Sequence, residues 1–203
     1  MFCPALKTPV NLPMSLGNSN RFHIVAKTKT AILISGRGTN MSALIAASKT
    51  DDYPAEIDLV ISNRPDAEGL KVAKSRDIKA VALDHKLFKS RRSFDKALHE
   101  LLKEHNIEFV VCAGFMRILG KEIVRNWSGR MINIHPSLLP KYKGLNTHQR
   151  AVDARDKKHG CTVHWVSEGV DDGEIIAQAE LDINDSDTAD SLCLLYTSPS
   201  PRD

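Results

Sequence analysis

The stretch AILISGRGTN, residues 31–40, decides the fold of this chain. Its first four residues are apolar and predict a buried strand, and its two glycines predict a tight turn directly after that strand. Apolar residues then recur at helical spacing at Met41, Leu44 and Ile45. The stretch therefore predicts a strand, a turn and a helix, which together form the first unit of an α/β fold.

The same alternation of strand and helix continues along the chain. Apolar runs predict strands over 57–61, 80–83, 109–113 and 131–132, and amphipathic stretches predict helices over 66–75 and 90–105. Repeated units of this kind form an open parallel sheet. A helix over 147–158 is expected next, followed by strands over 161–166 and 175–181 that flank a turn-rich segment and form a hairpin-like closing element.

Both ends of the chain depart from this pattern. Residues 1–28 show no sustained period and carry no acidic residue, so we expect an irregular extension; a secretory signal is not expected, whereas an organellar transit peptide is left open. No helix or strand is expected from Leu192 onward, where the chain ends in two Ser-Pro steps. We interpret 29–190 as one C-terminally truncated domain and 191–203 as a non-native tail.

The overall composition excludes several classes of protein. The chain has 203 residues, of which 42% are hydrophobic and 26% are charged, values typical of a globular domain. The net charge of +3 is too small for a protein that mainly binds a nucleic-acid backbone. No apolar run approaches the roughly 20 residues of a membrane-spanning helix. The four cysteines lack paired spacing, which indicates a reducing compartment; the cytoplasm is the expected location.

The glycine-containing turn is a candidate anion site. A turn that leads from a strand into a helix presents backbone N–H groups to a phosphate. The dinucleotide-binding pattern is absent, because the third glycine is missing and the second strand ends in Ser62-Asn63 rather than in an acidic residue. Phosphate binding and a purely structural tight turn remain equally good interpretations of this motif alone.

A second candidate site follows the strand at 131–132. Alternation along the strand places Asn133 and His135 on the same face, at the edge of the sheet where ligands of open α/β folds bind. An amide donor and a protonated imidazole suit a reaction that develops negative charge on a carbonyl oxygen. The alternative is that both side chains only satisfy backbone groups of the proline-rich turn that follows.

A carboxylate from the turn between the last two strands would complete this site. Asp171 or Asp172 can reach the imidazole of His135, and a carboxylate stabilises the imidazolium form that a general acid requires. The properties of the residues alone do not show which of the two aspartates contacts His135. A metal centre is not expected, because His148, His159, His164 and Cys161 have none of the common ligand spacings.

Taken together, these motifs resemble the phosphoribosylglycinamide formyltransferase family, the folate-dependent enzymes of purine synthesis. The resemblance runs from about Lys29 to Asp187. It rests on ISGRGTN (34–40), AGFMRIL (113–119), NIHPSLLPKYKGLNTH (133–148) and GCTVH (160–164). It implies a Rossmann-like, open, mostly parallel sheet with helices on both faces and a C-terminal antiparallel strand element. It also implies transfer of a formyl group from 10-formyltetrahydrofolate to the amine of glycinamide ribonucleotide.

The resemblance also assigns roles to individual residues. It implies that Asn133, His135 and Asp171 are catalytic, and so selects Asp171 over Asp172. The implied phosphate-binding residues are Gly38, Thr39 and Asn40. The implied folate-binding residues are Arg91, Met116, Arg117, Ile118, Leu119, Asn133, Glu168, Gly169, Val170 and Asp171.

Three other functions are considered. Methionyl-tRNA formyltransferase would need a further basic domain for tRNA, and formyltetrahydrofolate deformylase usually adds a small domain ahead of the core. The third is a truncated folate- or nucleotide-binding fragment without turnover. The expected partners are therefore the two small-molecule substrates, without nucleic acid or membrane, and the protein is expected to be a monomer or a homodimer.

Overall fold

The structure is a computed structural model that describes residues 26–197. The expected irregular extension over 1–28 therefore lies almost entirely outside the described residues, as does the end of segment 191–203. Within the described range the chain forms strands and helices in alternation. In chain order they are β1 (Thr28–Ile34), α1 (Thr39–Ala47), β2 (Ala55–Ser62), α2 (Glu68–Lys74), β3 (Lys79–Ala82), a 3-10 turn (His85–Leu87), α3 (Arg91–Glu104), β4 (Phe109–Cys112), α4 (Lys121–Asn126), β5 (Met131–His135), α5 (Thr147–Asp153), β6 (Lys158–Trp165), β7 (Ile175–Asp182) and α6 (Ala189–Thr197).

The strands form one sheet in the order β3-β2-β1-β4-β5-β6-β7. Strands β1 to β5 are parallel, whereas β6 runs antiparallel to both β5 and β7. The predicted mostly parallel sheet with an antiparallel C-terminal element is therefore confirmed. Strands β2 and β3 lie on one side of β1, and β4 lies on the other, so the strand order switches between β1 and β4. Ligands of open α/β sheets bind beyond the carboxyl ends of the strands at such a switch point.

Helices cover both faces of the sheet, as predicted. Ile32 and Ile34 of β1 point to the face where Met41 of α1 and Leu70 of α2 are buried. The alternate residues of β1 point to the opposite face, which is covered by Phe94 of α3 and Ile123 of α4. This alternation fixes the register of the strand, because a shift by one residue would exchange its two sets of side chains.

Two expectations about helices were wrong. Helix α5 ends at Asp153 rather than near 158, because the chain turns at Arg155, whose φ is +53°, and enters β6 at Lys158. No regular structure was expected from Leu192, yet α6 continues to Thr197. Leu192 is fully buried, and α6 lies against α5 and α1. The Ser-Pro steps that argued against a helix follow α6 and do not interrupt it.

Candidate active site

Asn133 and His135 lie at the carboxyl end of β5, on the same face of the strand. Asn133 is half-buried and His135 is buried. In the antiparallel pairing of β5 with β6, Asn133 lies opposite His164. The predicted positions of Asn133 and His135 at the sheet edge are thus observed, with a second histidine as their neighbour.

The imidazole of His135 lies beside the carboxylate of Asp171. Its Nδ1 lies 3.3 Å from Oδ2 of Asp171, and the two side chains are only 5% and 13% exposed. Its Nε2 lies 2.9 Å from the carbonyl oxygen of Tyr142. Nε2 faces a carbonyl acceptor and Nδ1 faces a carboxylate, so the imidazolium form donates a hydrogen bond to Tyr142 and is attracted electrostatically to Asp171. Asp172 instead pairs with Lys143 at the surface.

Asp171 is held as an anion by several neighbours. Its Oδ2 accepts a 2.8 Å hydrogen bond from the N–H of Gly144, and its Oδ1 lies 3.4 Å from Nδ2 of Asn133. Burial raises the pKa of Asp171. The contact with His164, the Gly144 hydrogen bond and the charge of His135 together outweigh burial, so that this pKa lies below its ordinary value. A carboxylate thus remains charged beside the imidazole over the neutral pH range.

His164 belongs to the same group, although the sequence analysis did not select it. Its Nε2 lies 3.2 Å from Nδ2 of Asn133 and 3.6 Å from Oδ1 of Asp171. Its Nδ1 lies 2.9 Å from the carbonyl oxygen of Trp165, and only a protonated Nδ1 can donate to that atom. His164 therefore orients the amide of Asn133. Only the antiparallel register of β6 with β5, which places His164 opposite Asn133, would have identified His164 from the sequence.

The glycine-containing turn leads from β1 directly into the N-terminus of α1. Gly38 precedes α1 with a φ of +74°, and the first turn of that helix has no acidic residue and no side-chain cap. A Cβ atom at Gly38 would lie 2.9 Å from Cε of Met41 and 3.1 Å from Cα of Gly69, so only glycine fits without rearrangement. Thr39 is exposed and Asn40 is half-buried at the start of the helix.

The residues predicted to bind folate lie on adjoining segments of the same edge. Met116 and Ile118 are exposed on the loop after β4, and the guanidinium of Arg117 lies 4.7 Å from the ring centre of Phe94. Leu119 is partly buried against the core. Arg91, the first residue of α3, lies beside Gly120 at the end of this loop.

The turn over 168–171 adjoins that loop through α4. Oε1 of Glu168 lies 2.7 Å from Nε of Arg125, and its Oε2 lies 3.2 Å from Nζ of Lys121. The hydrogen bond from Arg125 holds the pKa of Glu168 below its ordinary value. Gly169 and Val170 are exposed between Glu168 and Asp171. The structure thus brings Asn133, His135 and Asp171 into direct contact.

One contact between the two loops was not predicted. Oγ of Ser35, at the end of β1, accepts a 2.7 Å hydrogen bond from the N–H of Met116 and donates a 2.5 Å hydrogen bond to Oδ1 of Asn63. Ser35 and Asn63 are both buried. A single hydroxyl therefore joins the glycine-containing turn to the loop after β4.

Two further histidines, His148 and His159, form a buried pair. Nδ1 of His148 and Nε2 of His159 are 2.9 Å apart, and burial lowers the pKa of both rings, that of His159 to about 4.

Across residues 26–197, no group of three or more histidine, cysteine or acidic side chains is arranged to hold a metal ion. In that same range, no helix is both long enough and apolar enough to cross a membrane.

Known proteins resemble this chain along most of its length. The sequence profile of the formyl transferase family matches residues 28–194. Over 164 residues the chain is 44% identical to the phosphoribosylglycinamide formyltransferase of Haemophilus influenzae, and this match covers 81% of the chain and 77% of that protein. The solved structure of a phosphoribosylglycinamide formyltransferase from Coxiella burnetii matches with a TM-score of 0.79 and 46% identity, covering 84% of this chain and 80% of that one.

Larger proteins contain a similar segment. The trifunctional purine biosynthetic protein adenosine-3 of Gallus gallus is 46% identical over 166 residues, which are 82% of this chain but only 17% of that protein. The chain spans between 12% and 17% of the length of the trifunctional relatives that it matches.

Proposed function

The chain belongs to the formyl transferase family and, within it, to the phosphoribosylglycinamide formyltransferases, and from this premise we propose that it transfers the formyl group of 10-formyltetrahydrofolate to the amine of glycinamide ribonucleotide in purine biosynthesis. The observation that carries the proposal is the buried contact between His135 and Asp171 beside Asn133. This group lies at the carboxyl end of β5, and β4 lies between β5 and β1, the strand that leads into the glycine-containing turn.

The proposed reaction uses positioning and charge without a covalent enzyme intermediate. The nitrogen lone pair of the substrate amine forms a bond to the formyl carbon, and the electron pair of the C=O bond moves to oxygen. Asn133 donates a hydrogen bond to that oxygen, and the imidazolium of His135 supplies the proton on Nδ1, since the proton on Nε2 is held by the carbonyl oxygen of Tyr142. Asp171 stabilises the imidazolium before the transfer and orients the ring throughout.

Collapse of the adduct completes the proposed reaction. The C=O bond re-forms, the oxygen returns its proton to His135, and the bond between the formyl carbon and nitrogen 10 of the folate breaks. That nitrogen gains a proton as tetrahydrofolate leaves, and the amine, now a formamide, has lost one. The enzyme therefore ends the cycle in its starting protonation state.

The two substrates are proposed to occupy the two loops at this edge. Gly38, Thr39 and Asn40 would bind the phosphate of the ribonucleotide through backbone N–H groups, as the uncapped start of α1 supports. Arg91, the residues from Met116 to Leu119 and the turn from Glu168 to Asp171 would bind the folate. The exposed apolar side chains of Met116, Ile118 and Val170 support this assignment, because an aromatic ligand can cover them.

We also propose that the protein works in the cytoplasm, on small molecules alone, and as a monomer or a homodimer. The proposed steps use side chains and the formyl donor and call for no metal. The proposed native domain spans 29–190, between an extension over 1–28 and a tail over 191–203 that is non-native in sequence but whose Leu192 packs into the fold.

A formyl-transfer assay tests the proposed function. Purified protein is given 10-formyltetrahydrofolate with and without glycinamide ribonucleotide, and both tetrahydrofolate and formate are measured. We expect tetrahydrofolate only when the ribonucleotide is present, without release of formate. Formate release in its absence would instead indicate a deformylase, and binding of both ligands without any product would indicate a non-catalytic fragment.

A further inference from the structure

The loop that follows β5 contributes a backbone contact to His135 that none of the predicted site residues supplies. We propose that Tyr142 is a positioning residue, whose anchored side chain aims its own carbonyl oxygen at Nε2 of His135. The inference rests on the proposed function, because it assigns Tyr142 a role in orienting the proposed general acid. Tyr142 itself is not proposed to touch either substrate.

The backbone of Tyr142 adopts a conformation that needs support. Its φ is +56°, in the left-handed region that non-glycine residues seldom occupy and that is least favourable for bulky ones. In this conformation its carbonyl oxygen lies 2.9 Å from Nε2 of His135. The preceding carbonyl, that of Lys141, accepts a 2.6 Å hydrogen bond from Oγ of Ser137. The strained residue is therefore held from its N-terminal side by the loop itself.

The side chain of Tyr142 provides a second restraint. Its hydroxyl donates a 2.8 Å hydrogen bond to Oδ2 of Asp156, and this bond raises the pKa of the phenol, which stays protonated as a donor. Nζ of Lys141 lies 3.0 Å from each oxygen of the same carboxylate. The guanidinium of Arg150 lies 4.9 Å from the centre of the Tyr142 ring. The ring is thus fixed at its hydroxyl and on its face.

The same short segment also holds Asp171. The N–H of Gly144, two residues after Tyr142, donates to Oδ2 of Asp171, the oxygen that faces Nδ1 of His135. Nη1 of Arg150 donates a 2.8 Å hydrogen bond to the carbonyl oxygen of Lys143, between these two residues. Residues 142–144 therefore present an acceptor to His135 and a donor to its carboxylate partner. Loss of the tyrosine anchor would loosen both contacts together.

The first test compares Tyr142→Phe with a matched control, Tyr53→Phe. Tyr53 is a half-buried tyrosine two residues before β2, far along the chain from the site. We expect Tyr142→Phe to lower kcat by about 10-fold to 100-fold, the range for a displaced catalytic group, while the KM of either substrate changes by less than about twofold. The control should retain full kcat. Equal kcat for the wild-type protein and Tyr142→Phe would overturn the proposal.

A second pair of variants separates the anchor from general stability. Asp156→Ala removes the acceptor of the phenol, whereas Asp156→Asn keeps an oxygen in that position. We expect Asp156→Ala to lower kcat as Tyr142→Phe does, the double variant to be no slower than either single variant, and Asp156→Asn to keep more activity than Asp156→Ala. Multiplicative losses in the double variant, or losses that follow the melting temperature rather than the anchor, would contradict the proposal.

A measurement that needs no turnover keeps this inference separate from the proposed function. The exchange of the Nε2 proton of His135 with solvent can be followed by NMR in the unliganded protein. We expect this exchange to be about tenfold faster in Tyr142→Phe, because the carbonyl is no longer fixed. Unchanged exchange would refute the positioning role even in an active enzyme. Faster exchange in a protein without formyl transfer would support the role and count against the proposed function alone.

Discussion

At the scale of single residues, the contact between His135 and Asp171 makes a defined kinetic prediction. General acid–base groups typically contribute about 10²–10⁴-fold, so Asp171→Asn should lower kcat on that order and change folate affinity much less. The double variant with His135→Ala should be far from additive, because a carboxylate without its imidazole has nothing to orient. The kcat values of the two single variants and the double variant test whether His135 and Asp171 act together. Independent, multiplicative losses would mean that the residues do not act as a unit.

The buried histidines predict a pH dependence of stability. The pKa of His159 lies at about 4 in the folded protein, against an ordinary value of 6.5. Between these values the unfolded chain binds a proton that the folded protein does not, so the free energy of unfolding rises with pH there and falls as pH drops from 6.5 towards 4. Since His148 and His159 share one hydrogen bond, at most one of the two rings is charged while that bond persists.

Urea unfolding of His159→Gln at several pH values tests this dependence. We expect the variant to lose about 1–3 kcal/mol less than the wild-type protein between pH 6.5 and pH 4, whatever its stability at neutral pH. His105→Gln, at the end of α3, is the control for the loss of a histidine elsewhere. Parallel pH profiles of wild-type protein and His159→Gln would show that this ring is not the source of the acid sensitivity.

Sequence reasoning reached some of these residues and not others, for physical reasons. Asn133 and His135 are two positions apart on a strand, and strand alternation alone places them on one face. Asp171 comes from a turn whose path depends on tertiary packing, so residue physics left it equivalent to Asp172. His164 required the β5–β6 register, and Tyr142 acts through its backbone carbonyl, which every residue has and which no side-chain pattern reveals.

At the scale of elements, the turn between β1 and α1 predicts selective loss of one ligand. A Cβ atom at Gly38 would crowd Met41 and the backbone of Gly69 in a left-handed conformation, whereas one at Gly36 has no atom within 4 Å. We expect Gly38→Ala, and more severely Gly38→Val, to weaken ribonucleotide binding by about tenfold or more and to leave folate binding nearly intact. Gly36→Ala is the matched control. Equal weakening of both ligands by Gly38→Ala would contradict the phosphate assignment.

The elements themselves were predicted to different degrees. The apolar run of β1 predicts a buried strand because it is short and is followed directly by the two glycines of a turn. Helix α4 has six residues and buries only Ile123 and Val124, too few for a periodic signal. Helix α6 was missed for another reason: the apolar side chain of Leu192 finds its partners on helices that are distant in the sequence.

At the scale of the whole molecule, Leu192 predicts how far the domain extends. Leu192→Ala should lower the free energy of unfolding by about 2–5 kcal/mol, the usual cost of truncating a buried leucine. Leu87→Ala, at a leucine that is 81% exposed, should change it by less than about 0.5 kcal/mol. Deletion of 191–203 is expected to lower the melting temperature for the same reason. An unchanged melting temperature after the deletion would instead mean that the packing of Leu192 adds nothing to the stability of the fold.

The hydroxyl of Ser35 has a consequence for how the two substrates would bind. Because it joins the glycine-containing turn to the loop after β4, ordering either loop with one ligand reduces what the other ligand must order. Such cooperativity is reciprocal: the ribonucleotide must change the dissociation constant of the folate by the same factor as the folate changes that of the ribonucleotide. Calorimetric titration with an unreactive folate analogue measures both factors. We expect each ligand to tighten the other by about 5-fold or more in the wild-type protein, and Ser35→Ala to bring both factors close to one.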